Sequence, residues 1–290
     1  MEAKNSVRRE FIFPPYVLLL FPAVTFMLLM YAYPFIVSFT RSLIDAEGNF
    51  SFANYTKTWE LYLKDTLFTF AVTVFSTATT GVLAVLLAVY LRFSQSYISK
   101  ILSGLYKVPI FIPFVVVAQM MNSFLAPHGL LNIALAKFGL INIDQPLQLF
   151  NFTGLSFGFI WKMIPFSVLI IHGGFQMIDD SYIEAARTAG ARLFKVITKI
   201  LIPMSKSSIM VALVLVYSQI VGTFTLPYML IGGKSPTTIT VDIAHRVNYF
   251  RDFGVANTLG VFSYFLVLFT AIYYLRSSVH KMAEDKLVQE

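Results

Sequence analysis

Long stretches free of Asp, Glu, Lys and Arg alternate with short charged connections along this chain of 290 residues. A helix rising 1.5 Å per residue needs about 20 apolar residues to cross a bilayer. Six stretches qualify. The first runs from Phe11 to Thr40, with its helix proper over about 15–38 because Pro14, Pro15, Pro22 and Pro34 impose entry turns or kinks. The second is Thr66 to Leu91. The third is Val108 to about Leu125, bent at its start by Pro109 and Pro113, with a helix that can begin near Ile101. The fourth spans about 152–177 and carries Lys162 in its interior. Ser207 to about Tyr228 is the fifth, and Phe253 to Leu275 the sixth. The first apolar region is too long for a cleaved signal peptide and reads as a retained helix. The pattern predicts an all-α polytopic membrane protein, with 1–290 as a single transmembrane domain.

Composition supports this class. Hydrophobic residues make up 57% and charged residues 13%, about half the charged share of soluble domains. There is no Cys, which excludes disulfides, thiolate metal sites and cysteine nucleophiles. The four His residues, 128, 172, 245 and 280, lie far apart and form no paired metal motif. The net charge of +7 does not gather into a stripe, so nucleic acid is not expected as a partner.

The basic residues instead report orientation. With the N-terminus placed in the cytoplasm, Lys4, Arg8, Arg9, Arg92, Lys100, Lys107, Arg187, Arg192, Lys195, Lys199, Lys206, Arg276, Lys281 and Lys286 fall inside. Only Arg41, Lys57, Lys64, Lys137, Lys234, Arg246 and Arg251 fall outside. Both termini are therefore expected to be cytoplasmic.

Three connections are placed outside. Segment 41–65 is mixed and aromatic. Segment 126–151 includes a short amphipathic stretch over Leu130–Leu135. Segment 229–252 combines turn chemistry at Gly232, Gly233 and Pro236 with a run expected to fold back as a short helix or hairpin. The cytoplasmic segment 179–206 is different in kind. Asp180 or Ser181 can cap a helix holding Glu184 in its first turn, and Gly190 lets the chain turn out of it. From 191 a second helix sets Leu193, Phe194, Ile197 and Ile200 against Arg192, Lys195 and Lys199, and Pro203 is expected to break it. Two short helices around a glycine hinge make a knob below the membrane. Its residues fit either a docking surface for a cytoplasmic partner or an ordinary loop lying on the bilayer.

The segment Glu184-Ala185-Ala186, then Gly190, Ile200 and Pro203, resembles the loop motif of permease subunits of binding-protein-dependent ABC importers, with Ile202 where Leu is usual and Ala189 where sugar permeases often carry Asp. Trp161-Lys162-Met163-Ile164-Pro165-Phe166, Leu230-Ile231-Gly232-Gly233 and Tyr249 to Ala256 resemble the maltose-transporter type. The resemblance covers roughly 12–280. It implies a type I importer permease with an ATPase-coupling loop over 179–203, in which Glu184, Ala185, Ala186, Gly190, Phe194 and Ile197 dock into an ATPase cleft. It also implies a bacterial-type cytoplasmic membrane, a second and different permease, two ATP-binding subunits and an extracytoplasmic substrate-binding protein. The cargo is expected to be a carbohydrate, with an oligosaccharide favoured.

No phosphate-binding loop exists in the chain. Gly233-Lys234-Ser235 is a decoy, because position 228 is Tyr. ATP and Mg are thus assigned to the partner ATPase, and this chain carries no cofactor or catalytic residue. Polar groups within spans should face a cavity or another helix. Gln119, Asn122, Trp161, Lys162, Tyr217, Gln219, Thr223, Phe224 and Tyr228 are the candidates for a substrate path, with helix packing as the competing role. Lys162 needs a carboxylate, a carbonyl or a wet cavity. Pairing with the second permease is favoured over contact with an acidic sugar. Gly154 and Gly158 suggest a close helix crossing. The alternatives are the same machinery for a glycerol-phosphate-like solute or a polyamine, or an ATP-independent secondary transporter.

Overall fold

The computed structural model describes residues 15–289, with side chains described from Leu19 to Ile272 and at Arg276. The basic residues Lys4, Arg8 and Arg9 lie outside the described residues. Among the described residues, five helices are long and apolar enough to cross a membrane, and six if a bent helix pair counts as one span. In chain order come α1 (Leu19–Ser42), α2 (Ala53–Phe93), the short α3 (Tyr97–Leu105), then α4 (Phe114–Leu125) with α5 (Leu130–Lys137), these two together making one span, then α6 (Phe152–Gln176). The small α7 (Asp180–Thr188) and α8 (Leu193–Met204) follow, then α9 (Lys206–Gly222), α10 (Thr225–Ile231), α11 (Ile239–His245) and α12 (Phe253–Gln289).

The α2 helix has 41 residues, about 60 Å at 1.5 Å each and twice the hydrocarbon thickness. No proline interrupts it, so helix continues from the apolar span back through Lys57, Glu60 and Lys64. The connection over 41–65 is therefore helical from Ala53 onward. One face of α2 is a column of small residues, Thr69, Thr73, Ser76, Thr80, Ala84 and Ala88, all buried. Against α6 this lets two backbones approach closely, which lipid-embedded helices require because lipid offers no hydrophobic drive for association. Phe159, Met163, Val168, Ile171 and Phe175 of α6 are buried in the two main cores. A Cβ on Gly174 would collide with Ser208 of α9, and one on Gly81 would come within 2.5 Å of Leu213. Gly154 and Gly158 do not form one crossing. The first faces the Leu149 carbonyl and the second faces Leu226 of α10.

Breaks occur where prolines or polar residues interrupt the backbone ladder. The third span does not start near Ile101. A 3-10 turn over Val108–Phe111 separates α3 from α4, because Pro109 and Pro113 each lack an N–H. The fifth span stops at Gly222 and restarts at Thr225. Pro203 does not end α8. The chain passes through a π turn over Ile197–Leu201, continues to Met204, and bends by 69° into α9 at Ser205. The run after Pro236 folds back as helix α11, extended by a π turn over Arg246–Phe250.

Candidate functional site: a two-helix knob and an apolar groove

The cap of α7 is Asp179, one residue before the expected pair. Its carboxylate accepts from the Ser181 backbone N–H at 2.8 Å. The Ser181 hydroxyl and backbone N–H hold this carboxyl below its usual range. The helix ends in a paired C-terminal motif, with Gly190 N–H donating to Arg187 O at 2.9 Å and Ala191 N–H to Ala186 O at 2.9 Å. Gly190 has φ +79°, a conformation that costs a residue bearing Cβ roughly 1–2 kcal/mol. No atom lies within 4 Å of where that Cβ would sit, so the requirement for glycine is conformational rather than steric.

The knob is held by one face and open on the other. Ile183, Val196 and Leu201 are buried. Glu184 and Ala185 are exposed, Ala186 and Ile197 are half-buried, and Phe194 is 77% exposed. No described residue pairs with the Glu184 carboxylate. Met177 at 88% exposure, Tyr182 and Leu193 are further exposed apolar side chains of this segment. Sequence reasoning passed over Met177 and Tyr182, although an apolar side chain just before a polar helix cap was a usable signal.

The path candidates divide into separate groups. Gln119 and Trp161 line one groove of about 450 Å³ with Phe124 and Phe157, predominantly apolar. Asn122 donates to Met229 O at 2.9 Å and so ties α4 to α10. Lys162, 8% exposed, donates to Pro109 O at 2.8 Å, Ile112 O at 2.6 Å and Ile110 O at 3.4 Å. An ammonium has three donors, and all three are taken by backbone carbonyls at the proline break. Its ring neighbour is Phe114 at 5.4 Å. The expected pairing with another subunit is thus replaced by carbonyls of this chain. Tyr217 is buried, lining a different groove with Trp59, Phe70 and Phe265. Gln219 is exposed, and Thr223 donates to its backbone carbonyl at 2.6 Å. Phe224 and Tyr228 stack at 5.0 Å, and the rings continue edge-on through His245 to Tyr249.

The end of the bundle opposite the knob is pinned by charge. Asp65 of α2 accepts from Ser235 Oγ at 2.7 Å and from Thr237 N–H at 3.0 Å, and Thr69 Oγ1 accepts from Ile239 N–H at 3.0 Å. Lys57 and Arg246 both pair with Asp252, at 2.6 and 3.3 Å. Asp242 is 5% exposed and its Oδ2 has no partner among the described residues. Burial, with the Asp65 carboxylate adding to it and Arg246 opposing, pushes the Asp242 carboxyl up to about 8. No group of three or more metal-ligating side chains exists among the described residues.

Taken together, the broken spans, the small-residue spine and the two-helix knob define a polytopic helical membrane component. The chain belongs to the family of binding-protein-dependent transport system inner membrane components, whose profile matches residues 80–281. Among characterised relatives, the sulfoquinovosyl glycerol transport system permease protein SmoG of Agrobacterium fabrum is 32% identical over 155 residues, 51% of this chain and 50% of that protein. The trehalose/maltose transport system permease protein MalF of Thermococcus litoralis is 29% identical over 51% and 52% of the two chains. The spermidine/putrescine transport system permease protein PotB of Escherichia coli is 26% identical over 64% and 68%. The chain spans about half the length of the first two relatives. In fold it is similar to a chain of a bacterial ABC transporter involved in the import of the acidic polysaccharide alginate, with a TM-score of 0.75, 22% identity, and coverage of 90% of this chain and 94% of that one.

Proposed function

We propose that this chain is a membrane-spanning permease subunit of an ATP-driven importer, moving a carbohydrate handed over by an extracytoplasmic binding protein. The observation that carries this reading is the knob. It has an open face of Glu184, Ala185, Phe194 and Met177 at the end of the bundle, and a helix stop at Gly190 that sets the angle between α7 and α8. Exposed apolar groups beside an unpaired carboxylate are poorly suited to water alone and suit a cleft in a partner protein. The partner is an ATPase, which would bind ATP and Mg. A second permease completes the path, and two ATPase copies sit below.

The excess of Lys and Arg on the knob side supports a cytoplasmic knob and cytoplasmic termini. The membrane is accordingly a bacterial-type cytoplasmic membrane. Carbohydrate is favoured by the exposed amides Gln119 and Gln219 and the half-buried Thr223 with the stacked Phe224 and Tyr228, because sugar rings stack through C–H faces and hydrogen-bond through hydroxyls. The relative PotB gives polyamine as the second reading. None of the exposed path candidates is a carboxylate, which a polyamine would require for charge pairing.

The test is purification of the tagged chain in mild detergent, with identification and stoichiometry of every associated protein. An ATPase at one copy per permease chain together with a different permease is expected. A homo-oligomer without ATPase, from membranes shown to preserve such complexes, would overturn the reading. Ligand screening of the accompanying binding protein then separates sugar from polyamine.

A further inference from the structure

The knob is not hung from the bundle by its connecting loops alone. Arg92 sits in the last turn of α2 with its side chain only 16% exposed. Its Nε donates to Phe175 O at 3.2 Å, and one terminal nitrogen donates to Ile178 O at 3.1 Å and to the Asp180 carboxylate at 2.5 Å. The Phe175 carbonyl lies in the last turn of α6 and the Ile178 carbonyl two residues beyond its end, where the helix dipole favours a cation. Asp180 is the first residue of α7. Three helix ends therefore meet at one guanidinium.

A second attachment lies at the other end of α7. The Arg187 guanidinium stands 5.8 Å from the ring centre of Phe93, the neighbour of Arg92 on α2. Asp180 and Arg187 are seven positions apart, which is two turns or about 10 Å along the axis. One contact would leave α7 free to pivot. Two contacts this far apart on the same final turn of α2 fix its direction.

We propose that Arg92 and Phe93 form a two-point bracket that makes α7 a rigid extension of the α2–α6 pair, so that displacement of the knob is transmitted to those two helices. This rests on the docking role proposed above for the knob. Arg92 and Phe93 are positioning residues, since neither needs to touch solute or nucleotide. The bracket separates from simple capping of α6 because Asp180 and Arg187 take no part in capping those carbonyls.

The experiment uses the double substitution Asp180→Asn with Arg187→Gln in the assembled, reconstituted transporter, measuring uptake and ATP hydrolysis together. Hydrolysis should persist while uptake per ATP falls at least tenfold, and each single substitution should give a smaller loss. An unchanged ratio, or uptake and hydrolysis falling in parallel, would overturn the bracket. A second readout needs no partner. The chain has no cysteine, so Gln95→Cys and Ala189→Cys accept spin labels directly in lipid nanodiscs. The distance between them should be narrow in the parent chain and broad in the double variant. Equal widths would refute the bracket whether or not an ATPase is found, and a missing ATPase would refute only the functional reading.

Discussion

Replacing Lys162 with Met tests whether this ammonium holds the break between α3 and α4. Two close bonds, at 2.6 Å to Ile112 O and 2.8 Å to Pro109 O, and a longer one at 3.4 Å to Ile110 O are lost together. Pro109 O keeps a bond from Ile112 N–H at 3.3 Å, whereas Ile110 O and Ile112 O keep no other described donor. Hydrogen bonds to a charged group are worth about 1.5–3 kcal/mol each. Against that, removing an ammonium from within a span recovers about 2.5–3.5 kcal/mol on insertion scales. Counting two bonds fully and the long one at half weight, the net loss is about 2.5 kcal/mol at the middle of both ranges. The damage should be local. In mixed-micelle unfolding titrations Lys162→Met is expected to lose about that stability, and trypsin should cut faster after the exposed Lys107. Lys162→Arg should recover only part, because a planar fork matches three converging carbonyls less well than an ammonium. A Lys162→Met protein as stable and as resistant at Lys107 as the parent would refute the clamp.

At Gly190, Ala should cost about 1–2 kcal/mol in the local stability of the knob and Asn less, read by hydrogen exchange across 180–204. Gly190→Asp and Glu184→Lys should abolish uptake while leaving the spans folded, and normal uptake by membrane-inserted Gly190→Asp would defeat the docking role. Tyr228→Leu should raise the concentration of solute needed for half-maximal uptake several-fold with ATPase assembly intact; unchanged uptake kinetics would remove the stacked pair from the path. For Asp242 the folded carboxyl titrates at about 8 against an ordinary value of 3.8. The folded chain thus keeps a proton that the unfolded chain gives up. The stabilisation is complete below about pH 4, is lost as pH rises through the window up to 8, and is flat above it. Asp242→Asn should flatten the fall in melting temperature between pH 5 and 8.5, and an unaltered slope would place the proton elsewhere.

The apolar stretches were legible because each long charge-free run has little alternative to a membrane helix, and α6 ends within a residue or so of its expected bounds. What escaped was geometry that depends on partners distant in sequence. The α2 helix continues past its apolar part because nothing breaks it, and charge alone does not end a helix. Lys162 was recognisable as needing a partner, but the carbonyls opened by Pro109 and Pro113 lie about fifty positions away. Gly190 was readable from one residue type at one place, since a helix stop in the left-handed region is a local device. The scattered path candidates were not, because helix rotation decides whether Tyr217 faces the groove of Gln119 or the opposite one.

These features place rigidity and freedom in different parts of the bundle. The α2–α6 pair packs through small residues along much of its length and is unbroken except for the proline inside α6. Among the described residues, three interruptions fall in the helices beside it, at Val108–Phe111, at Ser205 and at Thr223–Phe224. Two of these interruptions adjoin groups proposed for the path, Gln119 and Asn122 after the first and Phe224 with Tyr228 after the last. A rocking transition needs bodies that keep their shape and joints whose backbone has already left the helical ladder. The spine supplies the first and the breaks supply the second. Lys162 and Asn122 then limit what those joints can do. One bonds the carbonyls at a break, and the other fastens α4 to α10, so that in the proposed importer the candidate path groups on the two helices would move as one unit.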